Sequence, residues 1–152
     1  MSEVQNVEYK LRVKKHSPDH DGILPPKKSG DVGFDLVVSE DCVLKPGSTV
    51  MTQYIVPAGV SIKCPEGFFC IIVGRSSAAK RGIDVQLAVI DTGYTGPMFA
   101  CCHNLTPYEI EIKKGDRLAQ VVFLPSYVPS LIEVAELPST ERGETGFGST
   151  GK

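Results

Sequence analysis

One carboxylate, one guanidinium and a glycine-rich tail stand out in this chain for what they could do to a phosphate. Asp91 lies in LAVIDTGYTGP (87–97), at the end of an apolar run and just before a tight turn that carries Tyr94. A shielded carboxylate that takes a proton from water is what a hydrolase needs. Arg75 lies in GRSSAAKRG (74–82), directly after FFCIIV. A strand ending in Gly-Arg-Ser-Ser offers a guanidinium, the hydroxyls of Ser76 and Ser77 and free backbone N–H groups at one point, the groups an anion needs. Both segments also have plainer readings. Taken alone, each segment favours that plainer reading: Asp91 as an Asx-turn residue beside a core tyrosine, and Ser76 or Ser77 as the N-cap of a helical turn. The tail reads RGETGFGSTGK (142–152), and its GFGSTGK fits the first seven positions of a P-loop, GxxxxGK. A true P-loop follows a buried strand and opens a helix. LPSTE precedes this segment and the sequence stops at Lys152, so the expectation is a tail that borrows a site made elsewhere.

The elements that must position these groups read as strands. Val7, Tyr9, Leu11 and Val13 alternate with polar or charged residues, as do Tyr108, Ile110 and Ile112. FDLVVS, STVMTQYIV, GVSIKC, GFFCIIVG, DVQLAVI, MFACCHN, RLAQVVFLP and LIEVAEL are further strand candidates. KPGS, PAG, CPEG, DTGYTGP, NLTP and KKGD read as the turns between them. A short helical turn is predicted around SSAAKRG. HSPDHDGILPPKKSG reads as a solvated surface loop with His16 and His20 exposed. The 15 glycines and 11 prolines suit many short strands. The fold expectation is therefore an all-β domain, a small barrel or sandwich.

Composition narrows the function classes. At 152 residues the chain is one domain, and 41% hydrophobic with 22% charged residues is ordinary for a globule. A net charge of −2 gives no general attraction to nucleic acid or anionic membrane. No signal-peptide-like or bilayer-spanning run is seen. Cys42, Cys64, Cys70, Cys101 and Cys102 are odd in number and form no CxxC, which points to reduced, mostly buried thiols in a cytoplasmic or nuclear compartment. Zinc held by Cys101, Cys102 and His103 is disfavoured, because three consecutive strand residues cannot face one ion.

Five segments in order bear a family resemblance. DVGFDL (31–36), GRSSA (74–78), AVIDTGYTG (88–96), GDRLAQVV (115–122) and RGETGFGSTG (142–151) resemble the five motifs of the trimeric dUTP nucleotidohydrolases (dUTPases). The resemblance covers residues 31–151. It implies a homotrimeric, distorted jelly-roll-like barrel over residues 1–141, with residues 142–152 as a mobile lid over a site assembled on neighbouring subunits. It implies hydrolysis of dUTP to dUMP and pyrophosphate, which keeps uracil out of DNA and supplies dUMP for thymidylate synthesis. By the same resemblance Asp91 is the general base, and Tyr94 packs on the deoxyribose and excludes a 2′-hydroxyl. Backbone groups of Gln86, Leu87, Ala88 and Val89 read the uracil edge, in a pocket that includes Phe99. Arg75, Ser76, Ser77 and Gln120 hold the phosphates. Arg142 reaches the γ-phosphate, Phe147 stacks on the base, and Gly146, Gly148 and Ser149 let the tail wrap the phosphates. Mg²⁺ is implied on the triphosphate, mostly through water, with Asp35 and Asp116 in support near the metal and lid. Direct nucleic-acid or membrane binding is not implied.

Four positions depart from the family pattern: Ser77 and Ala88 stand where glycines are usual, Gly93 where a second Asp is common, and Thr95 where Arg is frequent. GRSSAAKRG also resembles the dCTP deaminases, but PMFACCHN carries no acid to shuttle protons and those enzymes lack the GFGSTG tail. A dUTPase-like regulatory binding protein is a further alternative.

Overall fold

The computed structural model describes residues 8–47 and 53–148. Val7 of the first predicted strand, residues 48–52 of STVMTQYIV, and residues 149–152 of the tail, Ser149 among them, lie outside the described residues. The chain runs β1 (Arg12–Lys15), β2 (Ile23–Leu24), β3 (Phe34–Leu36), β4 (Cys42–Leu44), β5 (Tyr54–Lys63), β6 (Phe68–Gly74), α1 (Ser76–Lys80), β7 (Ile83–Val85), β8 (Ala88–Ile90), β9 (Pro97–Asn104), β10 (Ile110–Ile112) and β11 (Ala119–Pro125). Three antiparallel sheets result: β1-β5-β9-β7, β10-β4 and β2-β3-β11-β6-β8. The all-β, jelly-roll-like expectation holds.

Alternation along the strands builds the core. In β5 the inward set is Val56, Ala58, Val60 and Ile62; in β9 it is Met98, Ala100, Cys102 and Asn104. These meet Cys70 and Ile72 of β6 and Ala119 and Val121 of β11, and Leu44 and Ile112 from the two-stranded sheet join the same cluster. Each fully buried Val, Leu or Met side chain is worth roughly 1.5–3 kcal/mol. Cys101, Cys102 and His103 alternate between the faces of β9, so they do not converge on one ion. Among the described residues no group of three or more His, Cys, Asp or Glu could hold a metal. No helix among them is long and apolar enough to cross a membrane.

Several elements differ from the sequence expectation. PAG (57–59) is not a turn: β5 runs through it, and its pairing with β9 shifts register between Pro57 and Ser61. Proline and glycine mark a bulge here. Gly59 has φ +63°, and a Cβ there would lie 2.8 Å from Ser39 Cβ. His20, expected at the surface, is buried: its Nε2–H donates to the carbonyls of Val37 (3.0 Å) and Ala58 (2.9 Å), tying the 16–22 loop to the bulge. That loop also leads into the unforeseen strand β2. β1 starts only at Arg12, and Tyr9 instead packs edge-on against Phe68 at 4.6 Å. LIEVAEL forms no strand. Leu131, Ile132 and Leu137 are 99%, 81% and 84% exposed, because no sheet edge among the described residues pairs with them.

DVQLAVI was expected as one strand and is two. β7 pairs with β9, whereas β8 pairs with β6 in the other sheet. The chain changes sheets at Gln86–Leu87, so β8 and β9 diverge like the arms of a fork.

Candidate active site

β11 sits between β3 and β6, and this sets one half of the site. Gln120 lies opposite Asp35 on one side and Val73 on the other. Arg75, the residue after β6, is thereby brought beside Asp35. Its Nε donates to Asp35 Oδ1 at 3.0 Å and its Nη1 to the carbonyl of Arg117 at 3.1 Å. Arg117 Nη1 takes the second oxygen, Oδ2, at 3.2 Å. Asp35 thus aligns two guanidinium groups, each left about one-third exposed. Gly33 makes room for Gln120, whose Oε1 lies 2.0 Å from where a Cβ would stand.

These residues line a cleft of about 600 Å³, with Lys27, Lys28 and Ser76 on its wall. Four cations face two carboxylates, Asp31 and Asp35, and leave the cleft net positive. The N-cap of α1 is Arg75, without a side-chain cap bond, so neither Ser76 nor Ser77 is the cap. Both serines are exposed. Asp116, expected in support near the metal and lid, closes the 113–116 turn: it accepts from Lys113 N at 3.0 Å and pairs with Arg81 at 3.4 Å.

The fork makes the other half. Among the described residues, β8 is the edge strand of its sheet, bonded only to β6. β9 is bonded to β7 only from Cys102 onward, with one further bond from Gln86 N to Cys101 O at 2.8 Å. The facing edges of β8 and of β9 before Cys101 therefore present N–H and C=O groups to an open gap. Gln86, Leu87, Ala88 and Val89 lie along it, and Leu87 and Val89 are 57% and 60% exposed. Phe99 lies on β9 opposite Pro57 and lines a second cleft, of about 520 Å³, with His16, Ile55 and Met98.

Asp91 follows β8 at the mouth of this fork. It was expected to be shielded, and it is exposed, because the 91–96 turn projects beyond the β6–β8 ladder. Tyr94 N donates to Asp91 O at 3.1 Å, closing the turn. Tyr94 is not a core residue: it is 37% exposed and its hydroxyl donates to Pro97 O at 2.8 Å.

The two halves are not joined within one chain. Ile90 lies opposite Cys70, so Asp91 stands near Phe69, six residues from Arg75. At roughly 3.3 Å per residue, Asp91 and Arg75 are about 20 Å apart along the strand. The tail stands apart from both. Arg142 Nε donates to Thr145 O at 2.8 Å, while Phe147 is fully exposed at φ +49° and Gly148 has φ +86°.

Arg117, Lys27 and Lys28 are candidate site residues that sequence reasoning missed. Arg117 was visible inside GDRLAQ, next to an aspartate that drew the attention. The lysines looked like part of a solvated loop, although the two prolines before them stiffen its path into the cleft.

An all-β domain with a cationic anion cleft and a carboxylate-bearing turn is the class that this geometry defines. Residues 19–151 match the family model described as dUTPase. The chain is 38% identical over 144 residues to the deoxyuridine 5'-triphosphate nucleotidohydrolase of Avian adenovirus 8, covering 93% of this chain and 85% of that one. It is 42% identical over 123 residues to the protein of the same name from Paramecium bursaria Chlorella virus 1, covering 80% and 84%. The dUTPase of Staphylococcus bacteriophage 80alpha, solved with dUPNHPP, superposes with a TM-score of 0.84 at 26% identity, covering 94% of this chain and 99% of that one. This chain belongs to the dUTPase family.

Proposed function

We propose that this chain hydrolyses dUTP to dUMP and pyrophosphate. The observation that carries the reading is an arginine cleft aligned by Asp35 together with a carboxylate turn beside two unpaired strand edges. Arg75, Ser76 and Gln120 bind the triphosphate, Ser77 stands next to them on α1, and Lys27, Lys28 and Arg117 add charge. The free edge of β8, from Gln86 to Val89, reads the uracil edge, with Phe99 on the facing strand. Tyr94 packs on the deoxyribose and excludes a 2′-hydroxyl. Asp91 takes a proton from water as the water oxygen attacks the α-phosphorus. The bond from that phosphorus to the bridging oxygen breaks, and pyrophosphate leaves.

A general base works only within hydrogen-bond reach of its water. With Asp91 about 20 Å from its own Arg75, the base of one copy serves the phosphates held by another. A homotrimer fits this, as do Ile55, Leu87 and Val89, apolar side chains exposed in the single chain. Residues 1–141 are then the barrel and 142–152 a lid, Arg142 reaching the γ-phosphate, Phe147 stacking on the base, and Gly148 and Ser149 wrapping the phosphates. Asp35 has both oxygens on guanidinium groups, so the donor set suits Mg²⁺ carried by the triphosphate and water, with Asp35 acting through the arginines. Bound there, Mg²⁺ supplies charge neutralisation at the phosphates. The five free thiols favour a reduced cytoplasmic or nuclear compartment.

The test is product release from dUTP, dTTP, dCTP and UTP, each with Mg²⁺. Pyrophosphate from dUTP is expected, with little from dCTP, whose different base edge leaves the pocket's backbone donors and acceptors unpaired, from UTP, whose 2′-hydroxyl meets Tyr94, or from dTTP, whose extra methyl must fit between the strand edges. Equal turnover of dCTP with release of ammonia contradicts the reading.

A further inference from the structure

The turn that carries Asp91 is held from outside itself. Gly93, at its centre, would find nothing within 4 Å of an added Cβ, so no packing fixes the turn there. Two bonds from the neighbouring residue do. Lys63, the last residue of β5, donates from Nζ to the carbonyl of Thr92 at 2.9 Å. The same ammonium donates to the carbonyl of Cys64 at 3.2 Å and to Glu66 Oε1 at 3.1 Å. All three of its N–H groups therefore have acceptors, and its side chain is only one-third exposed. In return, the Thr92 hydroxyl donates to the carbonyl of Phe68, at the start of β6. The residue next to Asp91 is thus pinned by its carbonyl to β5 and by its hydroxyl to β6.

We infer that Lys63 is a positioning residue for Asp91: through Thr92 it fixes the catalytic turn against the β5–β6 corner. This rests on the reading of Asp91 as general base. Lys63 touches no substrate in this account and takes no proton; it sets where the carboxylate stands. A lysine suits the task because one ammonium can serve three acceptors in three directions, where a neutral side chain serves fewer.

Lys63→Met keeps the alkyl stem and removes the three donors, and Lys63→Arg restores a cation with donors. In steady-state assays on dUTP with Mg²⁺, Lys63→Met is expected to lower kcat about five- to fiftyfold, since a small misplacement of a reacting group is costly. KM should stay within about twofold, because the phosphate cleft is untouched. Lys63→Arg should recover most of the loss, and Thr92→Val should produce the same kcat-selective fall from the other side of the clamp. In an Asp91→Asn background, Lys63→Met should cost nothing further, as groups acting as one unit are not additive. Wild-type kcat in Lys63→Met beside an inactive Asp91→Asn overturns this inference alone. So does a loss accompanied by a fall in Tm above about 5 °C, or one repeated in full in the Asp91→Asn background. Full turnover in Asp91→Asn by itself overturns the general-base reading and this inference with it.

Discussion

Asp35 holds two guanidinium groups in one place. One carboxylate receives Arg75 Nε and Arg117 Nη1, so two long side chains are fixed at the floor of the cleft before an anion arrives. Preorganised charge of this kind costs no reorganisation during reaction. Gly33 has a matching role, because its missing side chain is the space that Gln120 fills. Gly33→Ala should push the Gln120 amide aside. The displaced atom is the end of a flexible chain, so the fold should survive with Tm little changed. KM for dUTP should rise by about tenfold, the value of one hydrogen bond. At the proposed general base, Asp91→Asn keeps shape but cannot take a proton. It should bind a non-hydrolysable dUTP analogue with near-normal affinity by calorimetry while kcat falls ~10²–10⁴-fold. Near-normal turnover would remove Asp91 from the role.

At the scale of elements, the bulge in β5 and the fork between β8 and β9 shape the site. Gly59 is the position where the bulge demands glycine, with φ +63° and neighbours inside van der Waals distance. Gly59→Ala should destabilise the fold by roughly 2–4 kcal/mol, read as a lowered Tm, with kcat of the remaining folded enzyme preserved. Alternation made β10 legible in the sequence, apolar runs between turn residues did the same for β6, β9 and β11, and glycine-flanked composition exposed Arg75 and the Asp91 turn. The bulge was not legible, because proline and glycine mark turns and bulges alike. Nor was the sheet switch at Gln86–Leu87, which needs no turn residue, only two edges that accept three residues each. LIEVAEL is apolar enough to read as a strand but has no partner edge among the described residues, and composition cannot supply one. Lys63 looked like any charged strand end, since an ammonium's acceptors come from residues distant in sequence. The exposure of Asp91 was hidden for a similar reason: it depends on where the β6–β8 ladder stops.

At the scale of the whole molecule, the free thiols and the tail give two checks. Burial pushes Cys70 and Cys102 up to about 12, from an ordinary value of 9.0. Folding therefore holds two protons that the unfolded chain releases at high pH. That contribution is complete below pH 9.0 and is lost as pH rises toward about 12, so Tm should decline steadily above pH 9.0. Within 142–148, the recorded hydrogen bonds run only to the tail itself and to Thr140. Deleting 142–152 should leave Tm nearly unchanged and lower kcat/KM by about 10²-fold or more, through lost charge and lost water exclusion. Phe147→Ala should remove roughly 1–3 kcal/mol of base stacking. The central claim is that the base and the arginine cleft of one active site come from different copies of the chain. Mixing Asp91→Asn chains with Arg75→Ala chains, each inactive alone, tests it most directly after joint unfolding and refolding. Random assembly into a closed ring should restore about a quarter of wild-type dUTP turnover, because half the bases and half the clefts are intact and they combine independently. Mixed assemblies that form, yet show no turnover above the two parents, would contradict the account.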